Sequence, residues 1–348
     1  MAKLGGKNTL MLAGGIAAGV AALRYVARSK RRFDLYGKVV LVTGGARGLG
    51  LLMAREFSNR GAKIAVCAKD AAELEDAKTD LRKRGANVFT YVCDMTNQSE
   101  VKELIAAVEN HFGAVDVLVN NAGVMQVGPM DDMTIEDYET AMRVHYWAPL
   151  YASLEVVPGM RRRKSGRIVN VSSIGGMVSV PHLLPYSASK FALVGLSEGM
   201  RSELMGDNIY VTTVSPGLLR TGSTQTADFK GQNEDEYAWF ALSDTLPGAS
   251  MRADYAAWKI VEATIYGDAE IVLSIPARLV TIARALFPEP TSETLAFVNQ
   301  ALPGPGSMPS ESAGENGEDA PITAPPAEQH GDLPAAKATQ NGSRKRTH

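Results

Sequence analysis

From residue 38 to residue 274 the chain alternates between two hydrophobic patterns. Short apolar runs rich in β-branched residues, "KVVLVTG", "KIAVCAK", "NVFTYVCD", "VDVLVNNAG", "RIVNVSS", "IYVTTVSPG" and "EIVLS", have almost no polar alternation. Between them lie longer stretches such as "LGLLMAREFSNRG", "AAELEDAKTDLRKRG" and "SEVKELIAAVENHFG", whose apolar positions recur every three or four residues. Continuous apolar strands need cover on both faces, and intervening helices supply it, so the pattern predicts a doubly wound parallel α/β sheet. One long helix is expected from about 134 to 160. Such sheets take ligands at the carboxyl ends of their strands, where strand order reverses.

The pattern changes at both ends. Residues 10–27, "LMLAGGIAAGVAALRYVA", hold no charge before Arg24 and are about the shortest run that crosses a hydrocarbon core. Lys3 and Lys7 precede the run, and Arg24, Arg28, Lys30, Arg31 and Arg32 crowd its end. By the positive-inside rule a single N-terminal span here leaves everything downstream cytoplasmic. A cleaved signal peptide and an amphipathic surface helix are the rivals. The expected organisation is an anchor and basic flank over 1–32, a catalytic domain over 33–275, a helical extension over 276–301 and a disordered tail over 302–348. Proline, glycine, serine and charge dominate that tail. In the extension, Leu279, Val280, Ile282 and Leu286 recur at near-helical spacing, which suits a bilayer-facing element, a docking surface for a second subunit or a core-covering helix.

Composition narrows the function. A net charge of -2 over 348 residues gives no basis for a nucleic-acid partner. The two cysteines, Cys67 and Cys93, have neither metal nor redox spacing and read as buried small hydrophobes.

The first strand runs into "TGGARGLG", residues 43–50, and then directly into a helix. Gly44, Gly48 and Gly50 suit a tight turn that brings backbone amides and a helix N-terminus to a pyrophosphate, with Arg47 and Leu49 between them. Further along, "YSASK" sets Tyr186 and Lys190 four residues apart, on one face of a helix. An ammonium beside a phenol lowers a pKa that is ordinarily about 10.

Taken together, "TGGARGLG", "NNAG" at 120–123, "VSS" at 171–173, "YSASK" and "SPG" at 215–217 resemble the short-chain dehydrogenase/reductase family in order and spacing, with Ser173 thirteen residues before Tyr186. The resemblance covers roughly 37–225 and implies a Rossmann fold and a nicotinamide cofactor. It implies that Tyr186 exchanges a proton with the substrate oxygen and Ser173 hydrogen-bonds that oxygen. Lys190 is expected to tune the tyrosine and hold the ribose. Asn120, Ala122 and Gly123 are expected along the cofactor cleft, Asp94 at adenine, Pro216 and Gly217 at the nicotinamide, and Thr221 on its carboxamide. Ser172 reads as a strand residue. The family usually places asparagine where His145 stands here; the imidazole either takes over a proton relay to Lys190 or is merely packed. Ala68 occupies the position of the acidic residue of NAD users, and Lys69 suits a 2'-phosphate, so NADP is expected and NAD is the alternative through Asp70.

The segment 218–252 is where the family builds its substrate lid. Tyr237, Trp239 and Phe240 suggest an apolar wall and a hydrophobic small-molecule substrate. A carbonyl reductase or alcohol dehydrogenase follows; a membrane-tethered cofactor-binding scaffold or redox sensor is the alternative. A homo-oligomer is possible by resemblance, though no residue demands one.

Overall fold

A computed structural model of the protein describes residues 19, 22–220, 227–232, 234–239 and 250–306. Seven strands form one parallel sheet: β1 (Val39–Thr43), β2 (Lys63–Ala68), β3 (Val88–Val92), β4 (Val117–Asn120), β5 (Gly166–Val171), β6 (Ile209–Pro216) and β7 (Glu270–Leu273), in the spatial order β7-β6-β5-β4-β1-β2-β3. The chain proceeds outward from β1 to β3, then returns to place β4 on the other side of β1. That reversal opens the crevice in which ligands of such sheets bind, at the carboxyl ends of β1 and β4.

The helices follow from the patterns between strands: α1 (Gly48–Asn59), α2 (Ala71–Lys83), α3 (Gln98–Phe112), α4 (Ile135–Met142), α5 (Ala148–Arg163), α6 (Leu184–Leu204), α7 (Ala253–Tyr266), α8 (Ile275–Leu286) and α9 (Pro288–Asn299). The sheet is buried on both faces. Val40 and Val42 of β1 pack with Met53 and Phe57 of α1 and Ile260 of α7, whereas Val39 and Leu41 pack with Leu104 and Val108 of α3 and Val156 of α5. Alternate side chains of one strand thus serve two separate cores, which is why the strand sequences lack polar alternation.

The expected helix over 134–160 runs from 135 to 163, but a π turn over Arg143–Trp147 divides it into α4 and α5. Such bulges are uncommon and cluster at functional sites. Cys67 and Cys93 are buried, each with its sulfur near that of Met95, at 3.6 and 3.8 Å. Burial pushes the thiol of Cys93 up to about 12 and raises that of Cys67 further.

Before the first strand, a helix over 22–30 is pinned to the domain. Arg28 makes a forked ion pair with Asp268 at 2.8 and 2.9 Å and lies over the Tyr266 ring. The buried Arg167 donates to the Arg31 carbonyl at 2.6 Å and lies over the rings of Phe33 and Tyr210. Burial lowers its pKa to about 10.

Most of the apolar run 10–27 lies outside the described residues, and among the described residues no helix is long and apolar enough to cross a membrane. Residues 307–348, almost all of the expected tail, lie outside the described residues. The extension is helical, but it does not cover the core. Of α8 only Ala277 is buried, and Leu279, Val280, Ile282 and Leu286 are exposed.

Candidate active site

The glycine turn fits a pyrophosphate by its geometry. Gly44 has φ +60°, a left-handed conformation that side chains resist, and a Cβ there would come within 2.9 Å of the Ala122 Cα. A Cβ on Gly50 would run into the Gly44 carbonyl. The N-terminus of α1 carries no side-chain cap, since Arg47 makes no such bond, so its first-turn amides have no side-chain acceptor there. An anionic group is what such a cradle accommodates.

Four side chains converge beside it. Ser173 follows β5 and starts a short 3-10 turn, its hydroxyl accepting from the Gly175 amide at 3.1 Å. Tyr186 stands in the first turn of α6, and the Ser173 hydroxyl favours the charged form of its phenol. Lys190, one turn further along, is buried; its ammonium donates to the Val171 carbonyl at 2.9 Å and lies 5.6 Å from the centre of the Tyr186 ring. Ser172 is a strand residue as expected, donating to the Lys190 carbonyl at 3.1 Å.

The expected depression of the tyrosine does not occur. Burial raises the Tyr186 phenol above its ordinary value, and only the Ser173 bond opposes this. Burial also lowers Lys190, to about 7. Removing both groups from water penalises both charged forms, and here that outweighs their attraction. At neutral pH the tyrosine is a protonated acid.

His145 lies in the π turn, 1% exposed, with its ring edge-on to Tyr186 at 5.3 Å. Its Nε2 accepts from the Val124 amide at 3.2 Å, so in the neutral ring Nδ1 carries the proton. Nδ1 then donates to the Ser189 hydroxyl at 2.8 Å, which donates in turn to the Tyr186 carbonyl at 2.8 Å. Desolvation, with the nearby Lys190 charge, holds its pKa well below 6.5. Both nitrogens are therefore engaged by the protein, and the ring cannot itself relay protons to Lys190. It ties the segment after β4 to the helix that carries the tyrosine.

Other expectations divide. Asn120 does not line the cleft: it is buried within the sheet, donating to Asn170 Oδ1 at 2.8 Å. The next residue, Asn121, reaches the turn, its amide donating to the carbonyls of Thr43 and Gly44, each at 3.1 Å. Strand alternation, counted from the buried end of β4, was the available signal. Ala122 donates its amide to the Thr43 hydroxyl at 3.1 Å, and Gly123 lies against the His145 ring. Leu49 packs on the core beneath α1, and Pro216 and Gly217 end β6 beside β7. Thr221 and Phe240 lie outside the described residues.

At the adenosine end, Lys69 pairs with Asp94 at 3.0 Å and Arg47 with Glu73 at 3.3 Å. Burial works against the Asp94 charge, but bonds from Thr96 and Lys69 hold its pKa below the usual value. Asp70 caps α2, its Oδ1 accepting from the amides of Ala72 and Glu73 at 2.7 and 2.9 Å.

Residues 38–231 match the short chain dehydrogenase family. The chain belongs to that family. It is 35% identical over 205 residues to 11-beta-hydroxysteroid dehydrogenase 1A of Arabidopsis thaliana, a match covering 58% of each chain. It is likewise 35% identical over 198 residues to the dehydrogenase/reductase SDR family protein 7-like of Anopheles gambiae, covering 56% of this chain and 62% of that one. Among solved structures, a short-chain dehydrogenase from Streptomyces avermitilis superposes with a TM-score of 0.66 at 28% identity, over 76% of this chain and 98% of that one. An actinorhodin polyketide ketoreductase solved with NADPH superposes with a TM-score of 0.61 at 29% identity, over 68% of this chain and 95% of that one.

Proposed function

We propose that the protein is an NADP-preferring reductase of a carbonyl group on a lipophilic small molecule. The observation that carries this reading is the gathering of Tyr186, Lys190 and Ser173 at the strand ends beside the glycine turn, with the Lys190 nitrogen 5.6 Å from the Tyr186 ring and a phenol that burial keeps protonated. NADPH bound along the turn supplies the hydride. The Ser173 hydroxyl donates to the carbonyl oxygen as negative charge develops there. Tyr186 transfers its proton to that oxygen, yielding the alcohol. Lys190, held by the Val171 carbonyl close under the ring, stabilises the phenolate left behind as it takes up charge. His145 fixes the backbone at Tyr186 through Ser189 and contributes position rather than protons.

NADP is favoured over NAD because Ala68 leaves no carboxylate at the end of β2, one Asp70 oxygen is held in its cap, and Lys69 and Arg47 offer cations whose partners a 2'-phosphate can replace. One solved neighbour holds NADPH and another NAD, so the preference rests on these residues alone. A lipophilic substrate follows from the apolar cluster around Tyr186, in which Met125, Val180, Phe229 and Trp239 pack on Val127 and Leu183.

The test is NADPH oxidation with long-chain aldehydes, ketosteroids and keto-lipids. Tyr186→Phe is expected to reduce turnover about 10²–10⁴-fold while NADPH binding persists. Tight NADPH binding without turnover on any carbonyl would favour the scaffold reading instead.

A further inference from the structure

One buried charge lies outside the reaction centre and needs an explanation. Glu236 sits in the short helix over 234–239, within the segment that roofs Tyr186, and it has no solvent exposure. An isolated buried carboxylate is strongly unfavourable, so such groups persist only where donors satisfy them. Both Glu236 oxygens have one. Oε2 accepts from the Trp239 indole at 2.6 Å, and Oε1 is 2.6 Å from Nδ1 of His182. Indole N–H is a donor only, so Oε2 accepts from Trp239, and with His182 in its Nδ1–H tautomer the carboxylate receives that N–H as well.

The other end of the bond is unusual as well. His182 lies two residues before α6 and adopts φ +61°, a left-handed conformation that costs most residues energy. Its carbonyl accepts from the Gly128 amide at 2.8 Å, and its ring meets Trp239 edge-on at 6.2 Å. The roof is also joined to the domain by a two-residue parallel pairing, Gln126–Val127 against Asp228–Phe229, by the Lys230–Asp137 ion pair at 3.4 Å and by Gln232, which donates to the Gly304 carbonyl at 3.2 Å. Trp239 belongs to the same small apolar cluster as Tyr186.

We propose that Glu236 is a positioning residue for substrate binding: by clasping His182 and Trp239 together it holds the roof closed and sets the indole as a wall of the substrate site. The clasp links the loop entering the tyrosine helix to the roof by the only fully buried carboxylate among the described residues. Opening the roof must therefore expose or unpair that charge, which makes closure all-or-none rather than gradual. The inference rests on the reductase reading for its substrate, but the clasp itself does not depend on turnover.

Amide hydrogen exchange and steady-state kinetics on the full chain test it together, with Glu236→Gln as the first variant. Glutamine keeps the shape but presents an amide donor to one of two N–H donors. Exchange in peptides spanning 227–239 and 178–183 is expected to accelerate about tenfold or more, while β1, β2 and β4 keep their wild-type protection. With decanal and saturating NADPH, KM is expected to rise about tenfold and kcat to stay within about twofold. His182→Asn, which tolerates the left-handed backbone and leaves the Trp239 bond, is expected to show the same pattern less strongly. Unchanged exchange in the roof of both variants would overturn the proposal, as would equal acceleration throughout the sheet. If the wild-type protein turns over no carbonyl, the reductase reading fails, and the exchange pattern alone still decides whether the clasp exists.

Discussion

Replacing His145 by asparagine should remove a specific slope from the protein's acid stability. In the folded chain the imidazole is buried, accepts one hydrogen bond and donates another, and its pKa lies well below the usual 6.5. In the unfolded chain it titrates near 6.5, so below that pH the unfolded state binds one proton more than the folded state. Stability from this group is complete above 6.5 and is lost as pH falls towards the folded pKa. With RT ln(1 + 10^(6.5 − pH)) as the unfolded-state term, the loss is about 0.4 kcal/mol at pH 6.5 and about 1.4 kcal/mol at pH 5.5. Urea unfolding of the wild type and His145→Asn at pH 7.5, 6.5 and 5.5 measures it, because titrating groups not coupled to His145 cancel in the difference, and Lys190, which is coupled to it, is nearly fully protonated in both states by pH 5.5. The gap between the two proteins should change by about 1 kcal/mol from pH 6.5 to 5.5, the variant losing less. Parallel curves would refute the neutral, doubly bonded histidine.

The other predictions concern the cofactor end and the lysine. Lys69→Ala should weaken NADPH binding by about 1.5–3 kcal/mol, the worth of a hydrogen bond to a charged group, and leave NADH nearly unaffected in a titration followed by fluorescence. Asp70→Ala should lower stability by about 1 kcal/mol through loss of the α2 cap and leave the NADPH-to-NADH ratio alone; a changed ratio would place that carboxylate at the ribose after all. Lys190, depressed from 10.5 to about 7, binds a proton in the unfolded state that the folded state lacks between those values. Stability should therefore rise with pH across that window, and Lys190→Met should flatten the rise in urea midpoints taken at pH 7.5 and 9.

Features written along one element were legible in the sequence. The seven strands, the glycine turn, and the Tyr186–Lys190 spacing on α6 each depend on local periodicity, and the family resemblance placed Ser173 against them. Features set by parity or by competition for one atom were misassigned. Asn120 and Asn121 differ by a single step of the strand, which decides between the sheet interior and the cleft. Asp70 was open to two uses, and the backbone amides of its own helix claimed it. The raised tyrosine is a third kind of case, since spacing brings the ammonium near but only the assembled fold determines how much water both groups lose. The Glu236 cluster joins residues 54 positions apart, and nothing local to either residue announces the pairing.

The bonds that fasten the 22–30 helix have a directional consequence. They land on Tyr266 and Asp268, just before β7, and the following Arg31 lies over Tyr210 at the start of β6, whereas the glycine turn, Asn121, Ser173 and Gly217 all follow strand ends. All strands of the sheet run the same way, and the eight residues of β6 span about 26 Å at the usual rise. Residues 22–30 are therefore fastened at the strand ends opposite those that carry the mouth of the site, so packing at one edge of the sheet leaves the other edge free to hold the chemistry.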